Sequence, residues 1–472
     1  MPNWFATFAL LAWLLVAAVM FSVRPPARAI ALTLLGGLLL LPVGLRLKIP
    51  MIPAFDKNSI PNLAIAIGCL FLVKRPFKFP NGFGLVEVLL VILFAGIFIT
   101  SELNGDSIEI GDRLVQSVGG YDAFSAALEQ FIFMLPFFLG RRVFRNHTDI
   151  EYIFRVTVIA GLCYSVPMLF EVRMSPQLHS WVYGYFPSDF VQNIRDGGFR
   201  PVVFLGHGLM VAFFTMTTVV AAAAFWRIKS RLAGMPAFGS VIYLSVILIF
   251  CKSLGSLIYG VVLLPLVKWT KPLTQLRVAV LLATVSLTYP LLRTEGLVPV
   301  NSMIDIASMV NAERADSLAV RFGQEAMLLE HASSRIFFGW GRYGRSRVYN
   351  DYGKDISLTD GKWVTTIGQW GIFGFISMFG LLALPIFRAV GSLRFAESER
   401  EKTFLAALGL LCAVGLFDLL PNDSLTPWTW FLAGSLLGRA EALRSLSKAR
   451  NRAPLANNGA PYVSSSGVVK SY

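Results

Sequence analysis

The chain has 472 residues, of which 55% are hydrophobic and only 15% charged, and its mean hydropathy is +0.63. Those values exclude a disordered chain and argue against an ordinary soluble enzyme, in which about 25% of residues are charged. The net charge of +14 would point to nucleic acid in a soluble protein, but in a chain of recurrent apolar runs it is first the Lys and Arg excess of cytoplasmic membrane loops.

A helix needs about 20 apolar residues to cross a bilayer. Candidate spans run near 4–22, 29–47, 59–73, 83–101, 123–140, 152–171, 201–226, 277–292, 364–388, 403–420 and 427–441. The stretch 237–268 is too long for one span, and Lys252-Ser253-Leu254-Gly255-Ser256 divides it into two short helices. The expectation is an all-α polytopic membrane protein of twelve to thirteen spans. The first run lacks a basic leader and a cleavage site, so it reads as a retained helix. Residues 1–292 hold the first ten spans, 293–363 a large and mostly helical external loop, and 364–441 the last three spans. Residues 442–472 form a cytoplasmic tail, expected to be disordered from Asn451.

Orientation follows from the basic connections. Arg24/Arg28, Lys74/Arg75/Lys78, Arg141/Arg142/Arg145, Arg227/Lys229/Arg231, Lys268/Lys271, Arg388/Arg394 and Arg439–Arg452 fall on one side, the cytoplasmic one. Three opposite segments are longer than connectors need: an acidic one at 102–122, one at 172–200, and the seventy-residue loop. Cys69, Cys163, Cys251 and Cys412 lie in apolar runs, and the four histidines have no zinc-like spacing, so neither a disulfide set nor a metal is expected.

The external loops carry arginines that the positive-inside rule leaves unexplained: Arg173, Arg195, Arg200, Arg314, Arg321, Arg335, Arg342, Arg345 and Arg347. Arg offers a rigid fork for two oxygens and stays charged when desolvated, which suits a phosphate-bearing substrate such as a lipid-linked diphosphate. The competing reading pairs them with loop carboxylates or lipid headgroups. Arg195-Asp196-Gly197-Gly198-Phe199-Arg200-Pro201 leads into the seventh span, where the glycines permit a close turn. On that span His207 is expected two helical turns deeper than Arg200, on the same face. Lys252 is either an anion contact or a snorkelling turn residue.

The segment Gly339-Trp340-Gly341-Arg342-Tyr343-Gly344-Arg345 suggests a loop whose amides and guanidinium groups hold phosphates, although it is no Walker loop. Gly368, Gly371 and Gly374 beyond it read as helix-packing contacts. Asp360, where the loop meets the membrane, either accepts a proton from an acceptor hydroxyl or caps the following helix. Glu325, Glu330 and His331 lie on an amphipathic helix over 321–335 and read as its solvated face. Asp418 is either a partner for an arginine or a lining residue. Trp181, Tyr183, Tyr185, Trp340 and Tyr343 are available to stack on sugars or to sit at the membrane interface.

Three segments together resemble the O-antigen ligase and O-antigen polymerase superfamily of bacterial surface-polysaccharide enzymes. They are the Arg195–Pro201 segment with His207, Arg321 followed by Phe337-Phe338-Gly339-Trp340-Gly341, and Thr359-Asp360-Gly361-Lys362-Trp363 before Gly368-x-x-Gly371-x-x-Gly374. With the topology, the likeness covers roughly residues 150–390. It implies a helical, metal-independent glycosyltransferase of the bacterial inner membrane, without cofactor. The donor would be a glycan on undecaprenyl diphosphate at the periplasmic face, and a flippase and a chain-length regulator would be partners. By motif position the donor diphosphate would fall to Arg200 and Arg321, then to Arg195, Arg314 and Arg342, with His207, Lys252 and Arg345 as further contacts. The ligases place a His followed by Asn, Ser or Gln before the Gly-x-x-Gly helix. Here that position holds Asp360 and then Gly361, which favours a polymerase over a ligase. A transporter or flippase is the alternative of another class, and it would bind nearer the bilayer midplane.

Overall fold

A computed structural model describes residues 1–49, 52–72, 83–195, 197–232, 234–310 and 312–452. The chain is an all-α polytopic membrane protein. Its helices are α1 (Trp4–Val23), α2 (Pro26–Leu40), α3 (Ser59–Ile67), α4 (Leu85–Glu102), α5 (Gly120–Val143), α6 (His147–Met174), α7 (Leu178–Tyr183) and α8 (Gly208–Arg227). There follow α9 (Ala237–Phe250), α10 (Leu254–Trp269), α11 (Pro272–Thr294), α12 (Val300–Val310), α13 (Ala312–Ser333), α14 (Lys362–Ser392), α15 (Glu399–Asp418) and α16 (Pro427–Arg452). Each apolar run read from the sequence contains a helix, although α2 ends at Leu40 rather than 47 and α8 begins at Gly208 rather than 201, and the turn between α9 and α10 falls at Cys251–Ser253. Seven helices (α1, α4, α5, α6, α8, α11, α14) are long and apolar enough to cross a membrane. Four more apolar helices (α2, α3, α9, α10) are shorter.

The core forms where small residues let helices approach. Val219–Phe225 of α8 and Thr403–Leu416 of α15 are buried throughout, so these two helices are apolar all round. Gly434 and Gly438 of α16, spaced as in Gly-x-x-x-Gly, lie against α5. A Cβ at either would come within 2.1 and 2.3 Å of the Phe137 and Arg141 carbonyl oxygens. Basic residues on one side of the bundle tie helices together. Arg141 holds Glu87 at 2.8 Å and Glu441 at 2.9 Å, and Arg439 holds Glu401. The tail differs from expectation as far as Arg452, because α16 continues to that residue. The remaining tail lies outside the described residues.

α14 is two helices that meet at Gly371, whose backbone (φ 66°, ψ −170°) is open to glycine alone. The break frees backbone groups, and the loop segment Ile336–Gly341 pairs with them. Trp340 and Gly341 amides donate to the Gly368 and Gln369 carbonyls at 2.8 and 2.9 Å, and the Ile372 amide donates to Ile336 at 2.8 Å. Gly339, also at positive φ, lies against the Gln369 backbone. The large external loop is thereby stitched into the membrane helix.

Candidate functional site

Four connections on one side of the bundle, with α12 and α13, converge on an open cavity of about 840 Å³. The connections precede α8, α10, α14 and α16, and they alternate along the chain with the basic connections. The cavity collects Arg195, Arg200, His207, Lys252, Arg321 and Asp360, six of the nine residues singled out from the sequence.

The local folding begins with Glu171 at the end of α6. Its buried carboxylate accepts the Val202 and Val203 amides at 2.8 and 2.7 Å and the Leu178 amide at 3.0 Å. These bonds, with Pro201 and the Tyr164 hydroxyl on the Phe204 amide, hold 201–207 out of helical conformation. α8 therefore starts at Gly208, not at 201, and the helical placement of His207 is corrected. His207 is the extended residue that caps α8, its Nδ1 accepting the Leu209 amide at 3.1 Å. That bond puts the neutral ring's proton on Nε2, which faces Gln192 Oε1 at 3.3 Å. Burial, then the nearby Arg200 and Arg321 charges, hold the His207 pKa below the usual histidine value, against an opposing pull from Asp360. At neutral pH the ring is uncharged and presents a donor.

Strands Ile194–Arg195 and Gly198–Phe199 form the hairpin in front of this segment. Glycines around it make room for cations rather than for a ligand. A Cβ at Gly198 would lie 2.6 Å from Lys252 Nζ, and one at Gly208 would lie 1.9 Å from Arg200 Cδ. Arg200 is buried and donates through Nη2 to the Lys252 carbonyl at 2.8 Å, while Lys252 Nζ donates to the Arg195 carbonyl at 2.8 Å. Lys252 itself is in the left-handed region (φ 49°), the kind of strain that persists where surrounding bonds fix it. The three cations thus form one braced unit.

Arg321 reaches the cavity from α13. Its Nε lies 3.3 Å from Asp360 Oδ2, and its Nη1 donates to the Pro421 carbonyl at 3.2 Å. Both side chains of the ion pair remain partly exposed, at 32% and 47%. Asp360 does not cap α14. Gly361 is the cap residue, and the Lys362 amide is taken by the Leu419 carbonyl at 2.9 Å, so the Asp360 carboxylate stays at the cavity. Among the described residues no arginine forms an ion pair with Asp418. Its buried carboxylate accepts Asn422 at 2.9 Å and Ser424 at 2.8 Å, folding the turn that lines the cavity with Asn422, Asp423 and Ser424. Glu171, Gln192 and Asp423 escaped the sequence reading because nothing local distinguishes them; their neighbours come from other helices.

The other three sequence candidates are Arg314, Arg342 and Arg345. The Arg314 side chain lies outside the described residues. Arg345 is fully buried, and donates to Asp106 through its carbonyl at 2.6 Å and carboxylate at 3.0 Å, and to the Gln116 carbonyl at 3.1 Å. It is a strut between the acidic loop and the large one, away from the cavity. Arg345→Ala is expected to cost about 1–3 kcal/mol by leaving the Trp340, Asp106 and Gln116 carbonyls without their donor, because the Asp106 carboxylate is half exposed and keeps Arg335 nearby. A melting temperature in detergent checks this, and Arg345→Lys should recover little. Arg342 pairs with Glu129 at 2.5 Å and lines a second cavity. The loop around it does not cradle phosphate, since its Trp340 and Gly341 amides serve α14. Trp340 is not free to stack on a sugar, being held between Arg335 (4.3 Å to the ring centre) and His331 (4.7 Å). Tyr183 and Tyr185 donate their hydroxyls to the Leu40 and Val43 carbonyls. Glu325 is not on a solvated face. It is buried, with Tyr289 at 3.2 Å, Trp363 at 3.4 Å and Arg293 at 3.6 Å, and burial raises its pKa against these partners.

Braced guanidinium and ammonium groups beside a carboxylate can bind a multiply charged anion and move a proton next to it. No protein-family profile matches the chain, and no curated protein matches it.

Proposed function

We propose that this chain is a membrane glycosyltransferase of the O-antigen polymerase type. It joins oligosaccharide repeat units carried on undecaprenyl diphosphate, at the periplasmic face of the bacterial inner membrane. The observation that carries this reading is the convergence of Arg195, Arg200, Lys252 and Arg321 on one open cavity that also holds Asp360 and His207. Guanidinium groups with their planar forks, and an ammonium group beside them, suit a diphosphate. The connections that build the cavity belong to the side opposite the basic loops, as an external substrate requires.

The reaction is an inverting displacement. The acceptor hydroxyl attacks the anomeric carbon, the bond from that carbon to the phosphate oxygen breaks, and the electron pair leaves on the diphosphate. Arg200 and Arg321 stabilise the charge that grows there. Donor binding draws Arg321 onto the diphosphate and frees the Asp360 carboxylate to take the hydroxyl proton. His207 contributes its Nε2 proton as a neutral donor, so it is not the base.

The test uses the purified full chain in proteoliposomes with the host's own lipid-linked repeat unit. Longer lipid-linked chains, with release of undecaprenyl diphosphate, are expected. Asp360→Asn should slow the reaction about 10²–10⁴-fold, the usual worth of a general base. Transfer only to lipid A core would make the chain a ligase, and lipid movement without bond formation would make it a transporter. Either result overturns the polymerase reading.

A further inference from the structure

A second cavity of about 410 Å³ opens beside the first, between α3, α5 and the first half of α14. Its chemistry differs. Two of its three cations are already neutralised within the protein, Arg342 by Glu129 at 2.5 Å and Lys362 by Asp423 at 3.2 Å. The remaining walls include Gln130, Gln369, Asp56 and Trp370. Gln130 Nε2 and Arg342 Nη1 are buried and have no hydrogen-bond partner among the described residues. Buried donors left unsatisfied are costly, and a ligand that offers hydroxyl and ring oxygens repays that cost. Amides, a carboxylate and an indole wall suit an uncharged sugar: the amides and carboxylate bond its hydroxyls, and the indole covers its C–H face.

The two cavities share a wall. Lys362 lines the second and Asp423 the first, and their ion pair joins the two. Asp360 and Lys362 lie two residues apart at the start of α14, so a hydroxyl presented through this wall reaches the carboxylate side of the first cavity. We propose that the second cavity is the subsite for the acceptor glycan, holding a neutral sugar unit whose hydroxyl is delivered past the Lys362–Asp423 pair to Asp360. This rests on the polymerase reading for the direction of transfer, but not for the binding of sugar.

The experiment measures equilibrium binding of two probes to the detergent-purified full chain. One probe is the host's repeat-unit oligosaccharide, freed from its carrier by mild acid. The other is inorganic pyrophosphate. Wild type should bind both. Gln369→Ala and Trp370→Ala should weaken the oligosaccharide at least tenfold and leave pyrophosphate unchanged, while Arg321→Ala should do the reverse. Trp370→Phe, which keeps an aromatic wall, should restore most of the sugar affinity and controls for misfolding. Oligosaccharide binding that is absent from wild type, or untouched by both second-cavity alanines, overturns the subsite. Pyrophosphate that does not bind, with sugar binding intact and sensitive to Trp370, sinks the diphosphate reading and leaves the sugar subsite standing.

Discussion

Arg321→Ala should reduce chain elongation by about 10²–10³-fold, the usual loss when one preorganised donor to a developing anion is removed. The size of the effect follows from how the side chain is held. Its Nη1 donates to the Pro421 carbonyl, which keeps the guanidinium at the cavity while its Nε exchanges Asp360 for the diphosphate. Lysine cannot satisfy both directions from one ammonium group, and Arg321→Lys should recover less than a tenth of the lost rate. Arg173 is the matching control, an exposed external arginine that does not line the cavity. Arg173→Ala should leave elongation and pyrophosphate affinity as in wild type. If Arg321→Ala elongates at the wild-type rate with protein levels equal, the anion is held elsewhere and the first cavity is not the donor site.

The sequence was most legible where physics is local. Apolar runs located the long apolar helices, and the Lys252 interruption located the α9–α10 turn, because hydrophobic length and turn residues act over a few positions. Convergence of Arg200, Arg321 and Asp360 was readable only through the resemblance, since Arg200 precedes α8 while Arg321 and Asp360 stand far apart in the large loop. The misplacement of His207 shows the limit: Pro201 hinted that the helix starts late, but the deciding contacts come from Glu171 on another helix. Arg342 and Arg345 look alike in sequence, two arginines in one glycine-rich stretch. One faces a cavity, and the other is consumed by Asp106 and loop carbonyls that no local pattern announces. Residue type set what each arginine is able to bind, and the tertiary fold decided which of them stays available.

The glycines of α14 carry the largest expected effect on folding. Packing glycines at i, i+3 and i+6 would be equivalent, and alanine at each would cost a similar, small amount. The fold makes them unequal. Gly371 has φ 66° and ψ −170°, and its missing Cβ would sit 2.1 Å from the Phe337 carbonyl oxygen. Backbone atoms occupy that space, held there by the Ile372 amide on Ile336, so no side-chain movement relieves the clash. Gly371→Ala should therefore cost several kcal/mol from strain and collision together, about 3–5 kcal/mol, and leave little folded protein. Gly368 is helical, and its Cβ would meet Ser346, with the Cβ at 3.3 Å and the carbonyl oxygen at an ordinary 3.7 Å. Gly368→Ala should stay within about 1 kcal/mol of wild type. Yield of monodisperse protein and melting temperature in detergent separate the two. Equal tolerance of both substitutions would mean that α14 runs unbroken. The Ile336–Gly341 stitch would then be lost, and with it the placement of Lys362, Gln369 and Trp370 that joins the two cavities.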